Sequence, residues 1–172
     1  MIALLALLAC GPSSDDVTRN LSSPNPVVRE DTAKIARNVD SAEVEAALIG
    51  ALGDEEMRVR LHAVESLAEL DATTAVPGLV ERLESEVDPA VRRAIVDALG
   101  RLGDAAAVPA LIAALEARFD TPPLDVIWAL GALEDDRALN VLSRLRANDD
   151  MYVRWNVNQA LRKLRPASNS EG

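Results

Sequence analysis

A valine-headed unit recurs along this chain at Val28, Val59, Val91 and Val153, with Pro122 in the fourth slot, in steps of 31, 32, 31 and 31 residues. Self-similarity at that period restricts the fold more than any other property of the sequence. From Val91 to Leu115 the unit reads VRRAIVDALGRLGDAAAVPALIAAL, two apolar-periodic runs parted by Gly103-Asp104, with Pro109 at the start of the second. Such a unit is a helical hairpin. One hairpin cannot bury its apolar face alone and must stack on a copy of itself. The sequence therefore predicts an all-α, right-handed superhelical solenoid of about four and a half hairpins over residues 25–165.

Within the first helices, apolar residues fall at offsets 0, 4, 7, 8 and 11 from the unit's first residue, a spacing that traces one helical face. Ala36, Leu67, Leu99, Leu130 and Leu161 share one column, and Val39, Leu70, Leu102, Leu133 and Leu164 the next. Those columns are the predicted core. Asn25-Pro26 and Asp88-Pro89 supply a capping side chain followed by a proline whose missing N–H costs nothing at a helix start. Second helices are expected over 42–52, 75–84, 107–117 and 137–145, and the fifth unit has a first helix only, a terminal cap. The concave face is expected from the second helices, where Gly50, Ala51, Gly78, Ala110, Asn140 and Ser143 are small enough to admit a partner closely.

Hydrophobic content of 49% with only 2% aromatic suits small-residue helix packing. A net charge of −10 excludes a nucleic-acid groove, which needs a basic surface. The charge is uneven: residues 40–136 hold 21 acids against 7 bases, and residues 137–165 hold 2 against 7. Nucleophilic chemistry needs a partnered base, and the chain has one histidine, His62, expected at the surface. No catalytic, cofactor or metal site is predicted, and the protein is expected not to be an enzyme.

These residues resemble the HEAT repeats, in particular the short kind found in phycobilisome lyases. The resemblance is carried by Val59-Arg60, Val91-Arg92 and Val153-Arg154, by Ala98-Leu99-Gly100-Arg101-Leu102-Gly103-Asp104, and by Ala-Val-Pro-x-Leu at 75–79 and 107–111. It implies that Asp88 with Arg92, Asp150 with Arg154, and Arg60 preceded by Glu56 form a structural ladder of hydrogen bonds within and between hairpins. It also implies a binding surface for a partner protein, or, alternatively, a cytoplasmic lyase-like or enzyme-accessory subunit.

At the N-terminus, Leu7-Leu8-Ala9-Cys10 resembles a bacterial lipobox, although no basic residue precedes the apolar run. The resemblance implies a signal peptide over 1–9, lipidation of Cys10, and a place in the cell envelope, anchored in the outer membrane and facing the periplasm. Residues 10–24, polar and Ser-rich, then read as a flexible tether, and residues 166–172 as a frayed tail.

Repeat four is irregular. Pro122-Pro123 replaces Val-Arg, so Thr121-Pro122 is expected to start a shortened first helix late. Trp128 stands in a slot filled elsewhere by Lys34, Glu65, Asp97 and Gln159; it either faces solvent as they do or fills space left by the missing turn. All four aromatics, Phe119, Trp128, Tyr152 and Trp155, lie between residues 119 and 155. Trp128, Tyr152 and Trp155, with Arg144, Arg146 and Arg154 nearby, are the candidate partner-binding residues.

Overall fold

The computed structural model describes residues 11–164, so the lipobox, Cys10 and the 166–172 tail lie outside the described residues. Ten α-helices are described: α1 (Ser14–Leu21), α2 (Pro26–Ile35), α3 (Ala42–Ala51), α4 (Met57–Glu69), α5 (Val76–Ser85), α6 (Pro89–Leu102), α7 (Val108–Glu116), α8 (Leu124–Ala132), α9 (Leu139–Arg144) and α10 (Met151–Leu164). Helices α2/α3, α4/α5, α6/α7 and α8/α9 are hairpins, and α10 is the final first helix. The described residues hold no strand.

Local chemistry sets the boundaries. Asn25 accepts from the Val27 N–H at 3.0 Å, and Asp88 from Ala90 and Val91 at 2.8 and 3.2 Å, each ahead of a proline in the first turn. Gly103 ends α6 in the left-handed conformation (φ 72°), and Asp71 and Glu134 take the same turn after α4 and α8 at φ 52° and 51°. The predicted columns are the core: Val59, Val91, Leu67, Leu99 and Leu130 are buried, with Leu161 half-buried at the open end. Ser66 ties neighbouring repeats by donating to the Ala33 carbonyl at 2.6 Å.

Two expectations about the ends and the irregular repeat need correction. Residues 10–24 are not simply a tether, because Ser14–Leu21 is a helix, capped by Ser13 and buried on α2 and α3 through Val17 and Leu21. It takes the place of a second helix ahead of the first full hairpin. Thr121 is not the cap of repeat four: α8 begins at Leu124, after both prolines, with no side-chain cap. It is correspondingly short, at 9 residues against 14 in α6.

The concave face is also reassigned. First helices stack so closely that a Cβ on Gly100 would stand 3.0 Å from the Ala129 Cα, and one on Gly131 2.7 Å from the Ala160 Cα. Second helices stand further apart, and an open groove runs between α3 and α5, lined by Ile49, Gly50, Gly78 and Arg82. The closer-spaced row lies on the inside of the curve, so first helices form the concave surface. The small residues predicted to line it from the second helices, such as Gly50, lie on the outer row.

Candidate functional site

The ladder is built differently from the expected i,i+4 pairs. Arg29 holds Asp54 of the next connection through Nε and Nη2 at 2.6 and 2.9 Å, while its Nη1 donates to the Ser23 carbonyl. Arg60 repeats the pattern: Nε and Nη2 clasp Glu86 at 2.9 and 3.0 Å, and Nη1 donates to the Asp54 and Glu55 carbonyls. Each arginine thus joins its own entry loop to that of the following hairpin. Asp88 and Asp150 instead cap their own helices, Asp150 accepting from the Tyr152 N–H at 2.7 Å, and neither pairs with Arg92 or Arg154. A carboxylate that satisfies first-turn N–H groups points along the helix axis, away from the side chain one turn on.

Glu86 is the most enclosed of these groups, with no exposed side-chain surface. Burial pushes its carboxyl up, but hydrogen bonds from Arg60 and Arg82 and from the Asp88 backbone outweigh it and hold it at about 2, against 4.5 ordinarily. A carboxylate so fully satisfied is a structural tie. His62 is half-buried with Nδ1 2.9 Å from Glu65, which makes it a surface pair on α4. The described residues contain no cluster of metal-ligating side chains.

The concave row does carry a surface unlike the rest. Tyr152 and Trp155 of α10 are 64% and 61% exposed, and Trp128 of α8 is 41% exposed. Residues three apart share a helix face, so Tyr152 and Trp155 point the same way. Trp128 and Trp155 flank a groove of about 300 Å³ floored by Gly131 and Ala160 and edged by Gln159 and Lys163. The close approach of α8 and α10 at Gly131 is what sets the two indoles on either side of it. A larger open groove of about 890 Å³ continues from Trp128 along α6 and α4, past Arg93, Asp97, Leu61 and Glu65.

The structure divides the predicted cluster. Trp128 and Trp155 are brought together on the first-helix row, with Tyr152 beside them. Arg144 is on the outer row, 3.1 Å from Glu116 and with its guanidinium 4.5 Å from the Phe119 ring centroid, and so is already engaged. Arg146 borders a separate cavity with Ser143, Asn158 and Arg162. Arg154 donates to the Asn148 and Asp149 carbonyls. Both readings of Trp128 hold in part: its ring is seated on Gly100, where a Cβ would meet it at 2.7 Å, yet one edge remains open to solvent.

The structural ties that sequence reasoning missed are Asp54 and Glu86. Both stand five residues before the unit's valine, so an acid at that offset was the available signal. Helix α1 also carried one, in the buried pair Val17 and Leu21 at helical spacing.

Solved structures place this geometry among known ones. The chain is 27% identical to a chain in the complex of CpcE and CpcF of phycocyanin lyase from Nostoc sp. PCC7120, with a TM-score of 0.74 over 90% of its own length; it spans 66% of that chain. Two engineered proteins share the fold, at 19% identity and TM-score 0.64 over 95% of this chain and 83% of the other, and at 18% and 0.62 over 95% and 50%. No curated protein matches the sequence. The family model described as HEAT repeats matches residues 14–89, 59–122 and 76–162, a span that begins at α1 and runs through α10. The chain belongs to the HEAT-repeat family.

Proposed function

We propose that this protein is a non-enzymatic scaffold that binds a partner protein on the concave, first-helix face of its fourth and fifth repeats. The observation that carries the reading is the pair of tryptophans flanking one groove on that face, with Tyr152 alongside, in a chain that has no other Trp or Tyr. Large aromatic side chains bury much area for little lost freedom, and so anchor protein interfaces. A solenoid displays such anchors on a rigid curve.

The test is site-specific photo-crosslinking. A crosslinking residue at position 155 is expected to trap a discrete partner from detergent-solubilised membranes, and one at the exposed outer-row position 84 is not. Equal capture at both positions, or none at 155, overturns the assignment of the face.

The scaffold is further proposed to be lipid-anchored through Cys10 in the bacterial envelope, as the lipobox resemblance implies. Replacing Cys10 with Ser is expected to abolish labelling by radioactive palmitate and to release the chain from membranes. Retention of the variant in the membrane fraction sinks this part of the proposal.

A second reading is favoured by the likeness to a chain from a lyase complex of two components. On that reading the protein is a lyase-like or enzyme-accessory subunit, and the crosslinked partner is another HEAT-repeat chain.

A further inference from the structure

Four ladder arginines share one geometry but not one set of partners; the last, Arg154, has its Nη1 on the Asn148 and Asp149 carbonyls and no further hairpin among the described residues to meet its fork. Arg29 and Arg60 each use Nη1 on carbonyls of their own entry loop and present Nε and Nη2 as a fork to a carboxylate from the next connection. Arg92 keeps the first half of this arrangement, its Nη1 donating to the Leu83 and Glu86 carbonyls at 2.8 and 3.2 Å. Its fork has no acceptor among the described residues. The residue five before the unit's first position is Asp54 in repeat two and Glu86 in repeat three; in repeat four it is Ala117. Among the described residues no buried side-chain nitrogen or oxygen lacks a partner, so the Arg92 Nε and Nη2 face water.

Arg92 borders a cavity of about 90 Å³ between α6 and the start of α8, together with Arg93, Arg118, Pro123 and Asp125. A water occupies about 30 Å³ in the liquid, so this space takes a carboxylate group and the carbons next to it, not a large ligand. Three guanidiniums stand against one acid, a local excess of positive charge in a protein whose net charge is −10. Asp125 is not the missing partner. It forms no ion pair or hydrogen bond with Arg92, and its Oδ1 instead accepts from the Val126 N–H at 3.0 Å.

We propose that the Arg92 fork, with Arg118 and Arg93 at its rim, is a binding site for an external carboxylate, which completes the third rung as Asp54 and Glu86 complete the first two. A guanidinium fork matches two carboxylate oxygens in one plane, and its half-buried setting screens the pair less than open solvent does. The carboxylate comes either from an aspartate or glutamate side chain of a bound polypeptide or from a small free carboxylate. This inference does not depend on the aromatic face.

The experiment follows the arginine Nε–Hε resonances of the 15N-labelled chain during titration with sodium acetate, with sodium sulfate at matched ionic strength as the control. Acetate is expected to move the Arg92 signal saturably, with half-saturation in the millimolar range, and to leave the Arg29 and Arg60 signals in place because their forks are filled. Arg118→Ala is expected to weaken the response several-fold, and Arg92→Lys to remove the acetate-dependent shift of the neighbouring Arg118 signal without unfolding the chain. Two peptides then separate the sources, both with amidated C-termini, one containing a central Glu and one a Gln. Tighter binding of the Glu peptide than of acetate assigns a polypeptide carboxylate; acetate binding with neither peptide bound assigns a small free one. No saturable Arg92 shift, equal shifts at Arg29 and Arg92, or a response to sulfate alone overturns the site.

Discussion

The Cζ3 atom of Trp128 lies 2.7 Å from where a Cβ on Gly100 would stand, so the indole of repeat four is seated on the bare backbone of repeat three. Nothing larger than glycine fits beneath it as packed. The contact explains how a residue in an outward slot comes to be held in place while remaining 41% exposed.

Gly100→Ala is therefore expected to destabilise the fold by about 1–3 kcal/mol, since overpacking outweighs the roughly 1 kcal/mol gained in helix propensity. The added methyl meets the Ala129 backbone as well as the Trp128 ring. Gly50→Ala is the control: nothing lies within 4 Å of its Cβ position, and it is expected to stabilise slightly. Urea denaturation of the two variants decides the point, and equal effects would mean that the helices do not approach as closely as described.

Trp128 and Trp155 are expected to separate experimentally. Trp155 is the more exposed, so Trp155→Ala should leave the melt nearly unchanged while weakening partner capture by a factor of about 30, as loss of an interface anchor near 2 kcal/mol would do. Trp128→Ala should lower both capture and thermal stability, because its ring is half packed on α6. A Trp155→Ala variant that melts early but captures normally would show that this indole is structural.

The Arg60–Glu86 tie predicts a specific acid limb of stability. Glu86 is held at about 2 in the folded chain against an ordinary 4.5, so its contribution is fully present above about pH 4.5 and is lost as pH falls from there towards 2. The shift corresponds to about 3 kcal/mol. Glu86→Gln is expected to be less stable than the parent at pH 7 and to show a flatter decline below pH 5. Parallel stability–pH curves for the two proteins would remove the tie from the account.

Helix α1 buries Val17 and Leu21 against α2 and α3. Leu21→Ala is expected to cost about 2 kcal/mol or more, the usual range for truncating a buried leucine. Within a mobile tether the same change would cost nothing. Thermal melts of the variant distinguish a helix that belongs to the solenoid from a spacer. The result also bears on any anchor at Cys10, because α1 starts at Ser14 and leaves little slack between them.

What could be read without coordinates was whatever repeats. Column residues such as Val59, Leu67, Leu99 and Leu130 declared themselves by spacing, because a helix that buries one face must place apolar residues on it wherever it sits in the stack. The caps at Asn25 and Asp88 were legible for a similar reason, as capping is settled within four residues. Helix α1 was obscured by polar, Ser-rich composition, which resembles a linker when only two of eight side chains are buried.

The sequence by itself determined the hairpin, its period and the all-α solenoid, since these follow from local propensity and from the need of each repeat to cover its neighbour. Only the tertiary structure decided which row of helices faces inward, because curvature depends on how closely successive backbones approach, and the close approaches at Gly100 and Gly131 are visible only once the helices are stacked. It also decided the partners of the arginines. Arg60 stands four residues after Glu56 in the chain, yet its guanidinium reaches Glu86, 26 residues on, because stacking one hairpin on the next brings their entry loops side by side. The same stacking set Trp128 beside Trp155 and left Arg144 and Arg146 elsewhere, a division that proximity in sequence could not reveal.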